Sequence, residues 1–193
     1  MSALRPFTRE EHERIDAAIA EIERGTAADL CVVVTRVSDR YSLYPVPWAA
    51  VGAILLGAIV SLIRPEIASR ALILIQLSTL IVLTLLLEWL PLRLAIVPER
   101  VKHAHARQLA HREFNALAGA GKPHRILLFV SLGERYVEIV ADHETHALAP
   151  AGSWNKIVDE FLATVKDGRV ADGVLGAAAA CGVILKTHHP APN

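Results

Sequence analysis

The stretch VPWAAVGAILLGAIVSLI (residues 46–63), followed after a short break by ALILIQLSTLIVLTLLLEWL (71–90), decides how this chain is organised. The first run has no ionisable side chain, and the second has only Glu88, close to its end. Apolar runs of about 18 to 20 residues match the roughly 30 Å hydrocarbon core of a bilayer at about 1.5 Å rise per residue. The intervening Arg64-Pro65-Glu66-Ile67-Ala68-Ser69-Arg70 carries three charges and a proline, enough to reverse direction and too short for a domain. Neither run shows the polar periodicity that gives a soluble helix its wet face. The reading is a transmembrane helical hairpin over 45–91, with helices near 46–63 and 71–90.

The flanks orient it. Arg36 and Arg40 precede the first run, and Arg93, Arg100, Lys102 and Arg107 follow the second, whereas the connecting loop holds only Arg64 and Arg70. Basic residues near membrane ends favour the cytoplasmic side, and Trp48 and Trp89 fit an aromatic belt at that same face. The polar opening, with Glu10, Glu11, Glu13 and Asp16, has no apolar core of a cleavable signal. Both termini are therefore expected in the cytoplasm, with only the short loop outside. Glu88, beside Trp89 and Arg93, reads as an interfacial acid.

The remaining 1–44 and 92–193 read as one discontinuous cytoplasmic domain. Thr8-Arg9-Glu10-Glu11 is a capping box, and Ile15, Ala18, Ile19 and Ile22 recur at helical spacing up to Gly25. Asp29 to Val37 is β-branched and apolar, the pattern of a central strand. Glu99 to Leu117 reads as a helix and Arg125 to Leu132 as a second buried strand. Arg135 to Asp142 alternates, which predicts an antiparallel hairpin partner with one wet face. Ser153 is the expected cap of a helix carrying Trp154, Ile157 and Phe161, and a last helix runs from Val170 to about Leu185. The tail from His188 is expected to fray. The fold class is α/β: a small mixed β-sheet covered by helices, with the two-helix transmembrane hairpin inserted in a crossover between two strands.

The chain is electrically balanced, with 20 basic and 20 acidic residues. A nucleic-acid partner is not expected on that ground. Cys31 and Cys181 stand in apolar surroundings and read as buried reduced thiols.

Taken in order, these residues resemble the TPM domain family in its membrane-inserted bacterial form. The resemblance rests on Glu23-Arg24-Gly25-Thr26-Ala27-Ala28-Asp29 at the first helix end, on Val130-Ser131-Leu132-Gly133-Glu134-Arg135-Tyr136-Val137-Glu138-Ile139-Val140-Ala141-Asp142, and on the inserted hairpin between them. It departs at Gly121-Lys122-Pro123-His124, where a threonine is usual, and at Asp29, where glutamate is common. The resemblance implies a compact α/β sandwich in a bacterial inner membrane. It also implies divalent-metal binding, acid phosphatase activity or upkeep of membrane protein complexes, each known for some members.

No Walker loop, Gly-x-Ser-x-Gly elbow, zinc-finger cysteine pair or His-Glu-x-x-His is present. The best constellation is acidic. Glu134, Asp142 and Glu144 flank the β-hairpin, and Glu23 and Asp29 flank the first helix–strand junction; such carboxylates suit calcium or magnesium, or serve solvated structural roles. Asp142-His143-Glu144-Thr145-His146 adds His143 and His146, three apart, as mixed nitrogen and oxygen donors for a transition metal. Arg135 suits a phosphate or a partner carboxylate, or a plain surface ion pair. The helix with Arg100, Lys102, His103, Arg107 and Arg112 is basic just past the apolar run. It reads either as a solvated face or as a face for anionic headgroups.

The expected function is a membrane-anchored module that docks to or maintains other membrane proteins. The alternatives are a divalent-metal-dependent phosphatase-like hydrolase using the acidic cluster, and a subunit of an oligomeric transporter.

Overall fold

A computed structural model of the chain describes residues 7–38, 45–87, 97–117 and 124–191. It divides into two compact units, Met1–Ser38 with His103–Asn193, and Asp39–Lys102.

The first unit is built on a three-stranded sheet in the order β1 (Asp29–Thr35), β2 (Arg125–Ser131), β3 (Tyr136–Ala141). β1 and β2 are parallel, Asp29 opposite Arg125 through Thr35 opposite Ser131, and β2 and β3 are antiparallel. The central strand explains the layers. Ile126 to Val130 are all within 2 % of full burial, and alternate side chains of a strand point to opposite faces. Ile126, Leu128 and Val130 enter a core with Ile15, Ile22, Ile157, Phe161, Val174 and Leu185. Leu127 and Phe129 enter a second core with Ala106, Ala110 and Val140.

The first core is closed by α1 (Arg9–Arg24), then, numbering in chain order, α6 (Ser153–Lys166) and α7 (Val170–His188). The expected capping box opens α1: Glu11 N–H donates to Thr8 Oγ1 at 3.2 Å, and Thr8 N–H to Glu11 Oε2 at 2.7 Å. The second core is closed by α4 (Glu99–Ala116), whose Ala106 and Ala110 are fully buried. Their small side chains let the helix lie close to the sheet. A six-residue α5 (His143–Leu148) follows β3.

The second unit contains α2 (Pro45–Ile63) and α3 (Ser69–Leu87), which run antiparallel. A Cβ on Gly52 would lie 2.8 Å from Leu83, and one on Gly57 would overlap Gln76, so glycine permits the approach. Ala49, Ala53 and Gly57, one turn apart, are buried, a small-residue stripe suited to close helix packing. The large apolar side chains instead point outward: Ile54, Leu62, Leu74 and Leu85 are each more than half exposed.

Among the described residues three helices are long and apolar enough to cross a membrane: α2, α3 and α7. α7 was not singled out by its sequence as a span, and its packing accounts for its composition. Val174, Ala177, Ala178, Cys181, Gly182 and Leu185 are buried against the first core.

Several expectations are corrected. β1 is an edge strand, not a central one; it is apolar because helices cover both its faces, with Leu30 in the first core and Cys31 and Val33 against the second. The expected wet face of β3 is largely covered by α4, since Val140 is buried and Tyr136 packs beside it. Gly152 (φ 80°), not Ser153, occupies the cap position of α6. The tail is held at His189 and Pro190, for reasons given below. Arg40, Tyr41, Glu88, Trp89, Arg93 and the loop Gly119–Pro123 lie outside the described residues.

α7 carries an internal control for this packing. A Cβ on Gly182 would lie 2.8 Å from Ile22, while one on the exposed Gly176 meets nothing within 4 Å. Gly182→Ala is expected to destabilise by about 1–2 kcal/mol, overpacking outweighing the gain in helix propensity. Gly176→Ala is expected to be neutral or to stabilise by up to about 1 kcal/mol. Thermal melting of the two purified variants in detergent, followed by near-UV circular dichroism, checks the opposite signs.

Candidate functional site

A dense polar cluster gathers around Asp142, where β3 ends. Its N–H donates to Arg125 O at 3.1 Å, and Arg125 N–H returns a bond to Asp142 Oδ2 at 2.9 Å. Its Oδ1 accepts Glu144 N–H and Thr145 N–H, both at 3.0 Å, which makes Asp142 the N-cap of α5. Thr145 Oγ1 donates to Oδ2 at 2.5 Å. Burial pushes the Asp142 carboxyl up, but the bonds from Thr145, Arg125 and Glu144 outweigh it and hold the group below its usual range.

Having given its proton to Asp142, the Thr145 hydroxyl accepts from His189 Nε2 at 3.1 Å. That assigns the Nε2 proton to His189. The His189 ring stacks on His124, with centroids 3.9 Å apart and planes within 16°. His124 Nδ1 lies 3.7 Å from Glu144 Oε2 and 4.0 Å from Asp142 Oδ1. The His189 carbonyl accepts Thr26 Oγ1 at 2.5 Å and Ala27 N–H at 2.9 Å, and Thr26 bridges to Pro190. The end of α7 is thus tied to the α1–β1 junction, to β2 and to α5. Burial lowers the His189 basicity, and neighbouring His124 and His188 add to this, against the opposing pull of Asp142 and Glu144.

Glu134 is placed elsewhere. It is 3 % exposed, in the β2–β3 turn. Oε1 accepts Ser38 N–H at 2.7 Å and Oε2 accepts the Ser131 hydroxyl, so the carboxylate ties the chain leaving β1 to the end of β2. Leu132 N–H to Thr35 O (3.0 Å) and Gly133 N–H to Arg36 O (2.8 Å) complete the junction. Arg135, exposed, holds the left-handed turn position at φ 52°.

The expected constellation is therefore split. Glu134 and Asp142 sit at opposite ends of β3, roughly 20 Å apart at about 3.3 Å per residue. Asp142 and Glu144 are neighbours, but the Asp142 oxygens are engaged in capping. His143 and His146 are exposed on α5. Glu23 Oε1 accepts Leu30 N–H at 3.2 Å, and Asp29 N–H starts the β1–β2 ladder on His124 O at 2.9 Å. Among the described residues no group of three or more His, Cys, Asp or Glu side chains is arranged to hold a metal ion. Both Asp142 oxygens and Glu23 Oε1 accept bonds from within the fold, whereas the Glu144 carboxylate stays exposed, with His124 Nδ1 at 3.7 Å.

The thiols are equally engaged in packing. Burial, with Glu23 and Asp29 nearby, raises Cys31, and burial pushes Cys181 up to about 12, so neither is a ready thiolate. Sequence reading missed Thr26, His124, Thr145 and His189. The Asp142-x-x-Thr145 spacing is a capping pattern that signals Thr145; nothing local signals His189.

No family model matches the chain, and no curated protein matches it in sequence. Its structure is similar to the NMR structure of BA42 protein from the psychrophilic bacterium Bizionia argentinensis. The TM-score is 0.56 at 13 % identity, covering 96 % of this chain and 86 % of that one. That likeness carries the fold.

Two outcomes follow for the polar side chains. Asp142 and His189 both have native affinities for protons below those of the unfolded chain. The stability they confer is present at neutral pH and is lost on acidification, from about pH 6.5 downward for His189 and below about pH 4 for Asp142. Denaturant midpoints measured across this range are expected to fall, with a shallower upper limb in His189→Gln and a shallower lower limb in Asp142→Asn. Glu134→Ala, which strands the Ser38 amide and the Ser131 hydroxyl, is expected to cost about 1–3 kcal/mol in the same titration at pH 7.

Proposed function

We propose that this chain is a membrane-tethered α/β module, TPM-like in character, that docks to or helps maintain other membrane proteins. The observation that carries the reading is the apolar hairpin. α2 and α3 each run 19 residues, about 28 Å at about 1.5 Å per residue. They turn their large side chains outward, where only hydrocarbon solvates them well. The basic flanks favour a bacterial inner membrane with both termini on the cytoplasmic side.

The domain's own chemistry supports docking over catalysis. Asp142, Thr145, His189 and Glu134 spend their polar atoms on holding segments of the fold together. Thr145 is fully buried, so its hydroxyl is closed to a substrate.

Alkaline carbonate extraction is expected to leave the chain in the membrane fraction; release into the supernatant would remove the tether. Leu74→Arg with Ile81→Arg places two charges on exposed positions of α3, at about 2.5–3.5 kcal/mol each near a span's centre. The double variant is expected to lose membrane retention. Mild crosslinking followed by pull-down is expected to recover a membrane protein, and recovery of none above background counts against docking.

A further inference from the structure

α4 has an outer face without a single acid. Its sheet side is fixed by Ala106 and Ala110, both fully buried. Glu99 and Glu113, the helix's two acids, each stand seven residues from Ala106 and share its side of the helix. The opposite side presents Arg100, Ala104, Arg107, Gln108, His111 and Arg112, all exposed. Among the described residues, the acid that pairs with this face is Glu138 on β3, half-buried. It lies 3.7 Å from Arg107 and 3.5 Å from His111, two members of a stripe of three arginines and a histidine.

We infer that this face of α4 docks on anionic lipid headgroups. Charge sign is the first argument: an acid-free basic stripe on a chain of zero net charge is a local concentration, not a bulk excess. Reach is the second, and it rests on the membrane-tethered reading above. Residues 88–98 connect α3 to α4, and at no more than about 3.6 Å per residue they extend about 40 Å at most. A hairpin in the bilayer therefore keeps α4 within reach of the headgroup layer, while a soluble anion has no such advantage. Ala104 and Gln108 place no large apolar group between the arginines, so the contact is electrostatic, not insertive. Such contacts are worth about 1 kcal/mol per basic residue near an anionic surface, roughly a fivefold ratio for each charge.

The test uses the full chain in nanodiscs with a fluorescent amino acid in place of Gln108 and a headgroup-linked quencher on the lipid. Entry into the discs is read first, and failure to enter overturns the tether itself and the inference with it. In discs with about 30 mol % phosphatidylglycerol the fluorophore is expected to be quenched, and in pure phosphatidylcholine to be far less so. About 0.5 M salt, which shortens the Debye length to about 4–5 Å, is expected to release it. Arg107→Gln with Arg112→Gln is expected to lower the docked-to-undocked ratio about 30-fold. Equal quenching in neutral and anionic discs, or in the double variant and the parent, overturns the inference. Protection of the fluorophore by an added RNA homopolymer in place of anionic lipid overturns it too.

Discussion

The burial of β2 on both faces is the constraint from which the rest of the domain follows. A strand whose successive side chains are all apolar cannot lie against water on either side. Ile126, Leu128 and Val130 require the layer of α1, α6 and α7, and Leu127 and Phe129 require α4. The parallel pairing of β1 with β2 adds a second demand, because parallel neighbours need a long crossover. The chain supplies it with α2, α3 and α4 in succession. Only α4 of these belongs to the second core, where two buried alanines bring it close to Phe129.

Polar groups were then placed where this arrangement leaves chain ends to be secured. At one end of the sheet Glu134 gathers Ser38 and Ser131. At the other, Asp142 caps α5 and passes a hydrogen bond through Thr145 to His189, whose carbonyl closes on Thr26 and Ala27. A buried carboxylate left without such partners would cost far more than the bonds return, so these residues are satisfied as networks or not at all. That is why acids that look like a ligand set in the sequence turn out to be separate clamps.

The elements with a strong local period were legible from the sequence. The Thr8 capping box, the amphipathic α1 and the continuous apolar β2 all occur as read, because each is decided by neighbours within a few residues. What was not legible depends on distant partners. β1 carries the same apolar signature as a central strand, yet lies at the edge, because periodicity reports covered faces and is blind to strand order. The wet face expected for β3 is largely covered where α4 lies over Val140. In the Asp142 run, spacing alone does not show that the Asp142 oxygens already accept amides. His189, in a tail expected to fray, is tied down by Thr26, 163 residues away.

The strand pairing also limits how the chain can relate to a bilayer. β1 and β2 are in register over seven residue pairs, from Asp29–Arg125 to Thr35–Ser131. Two strands joined by such a ladder lie on one side of any membrane, since the hydrogen-bonded pair cannot be divided by hydrocarbon. Whatever crosses between Thr35 and Arg125 must therefore cross an even number of times. Among the described residues α2 and α3 are the two helices in that interval with spanning length and hydropathy, and two satisfies the parity. The third helix of spanning composition, α7, follows β3 and would carry the C-terminus to the other side. Its end is fastened at His189 and Pro190 to the α1–β1 junction, and its Leu185 is buried beside the sheet. A single crossing there would pull the tail away from Thr26, so α7 belongs to the domain core, and α2 and α3 are left as the candidate spans.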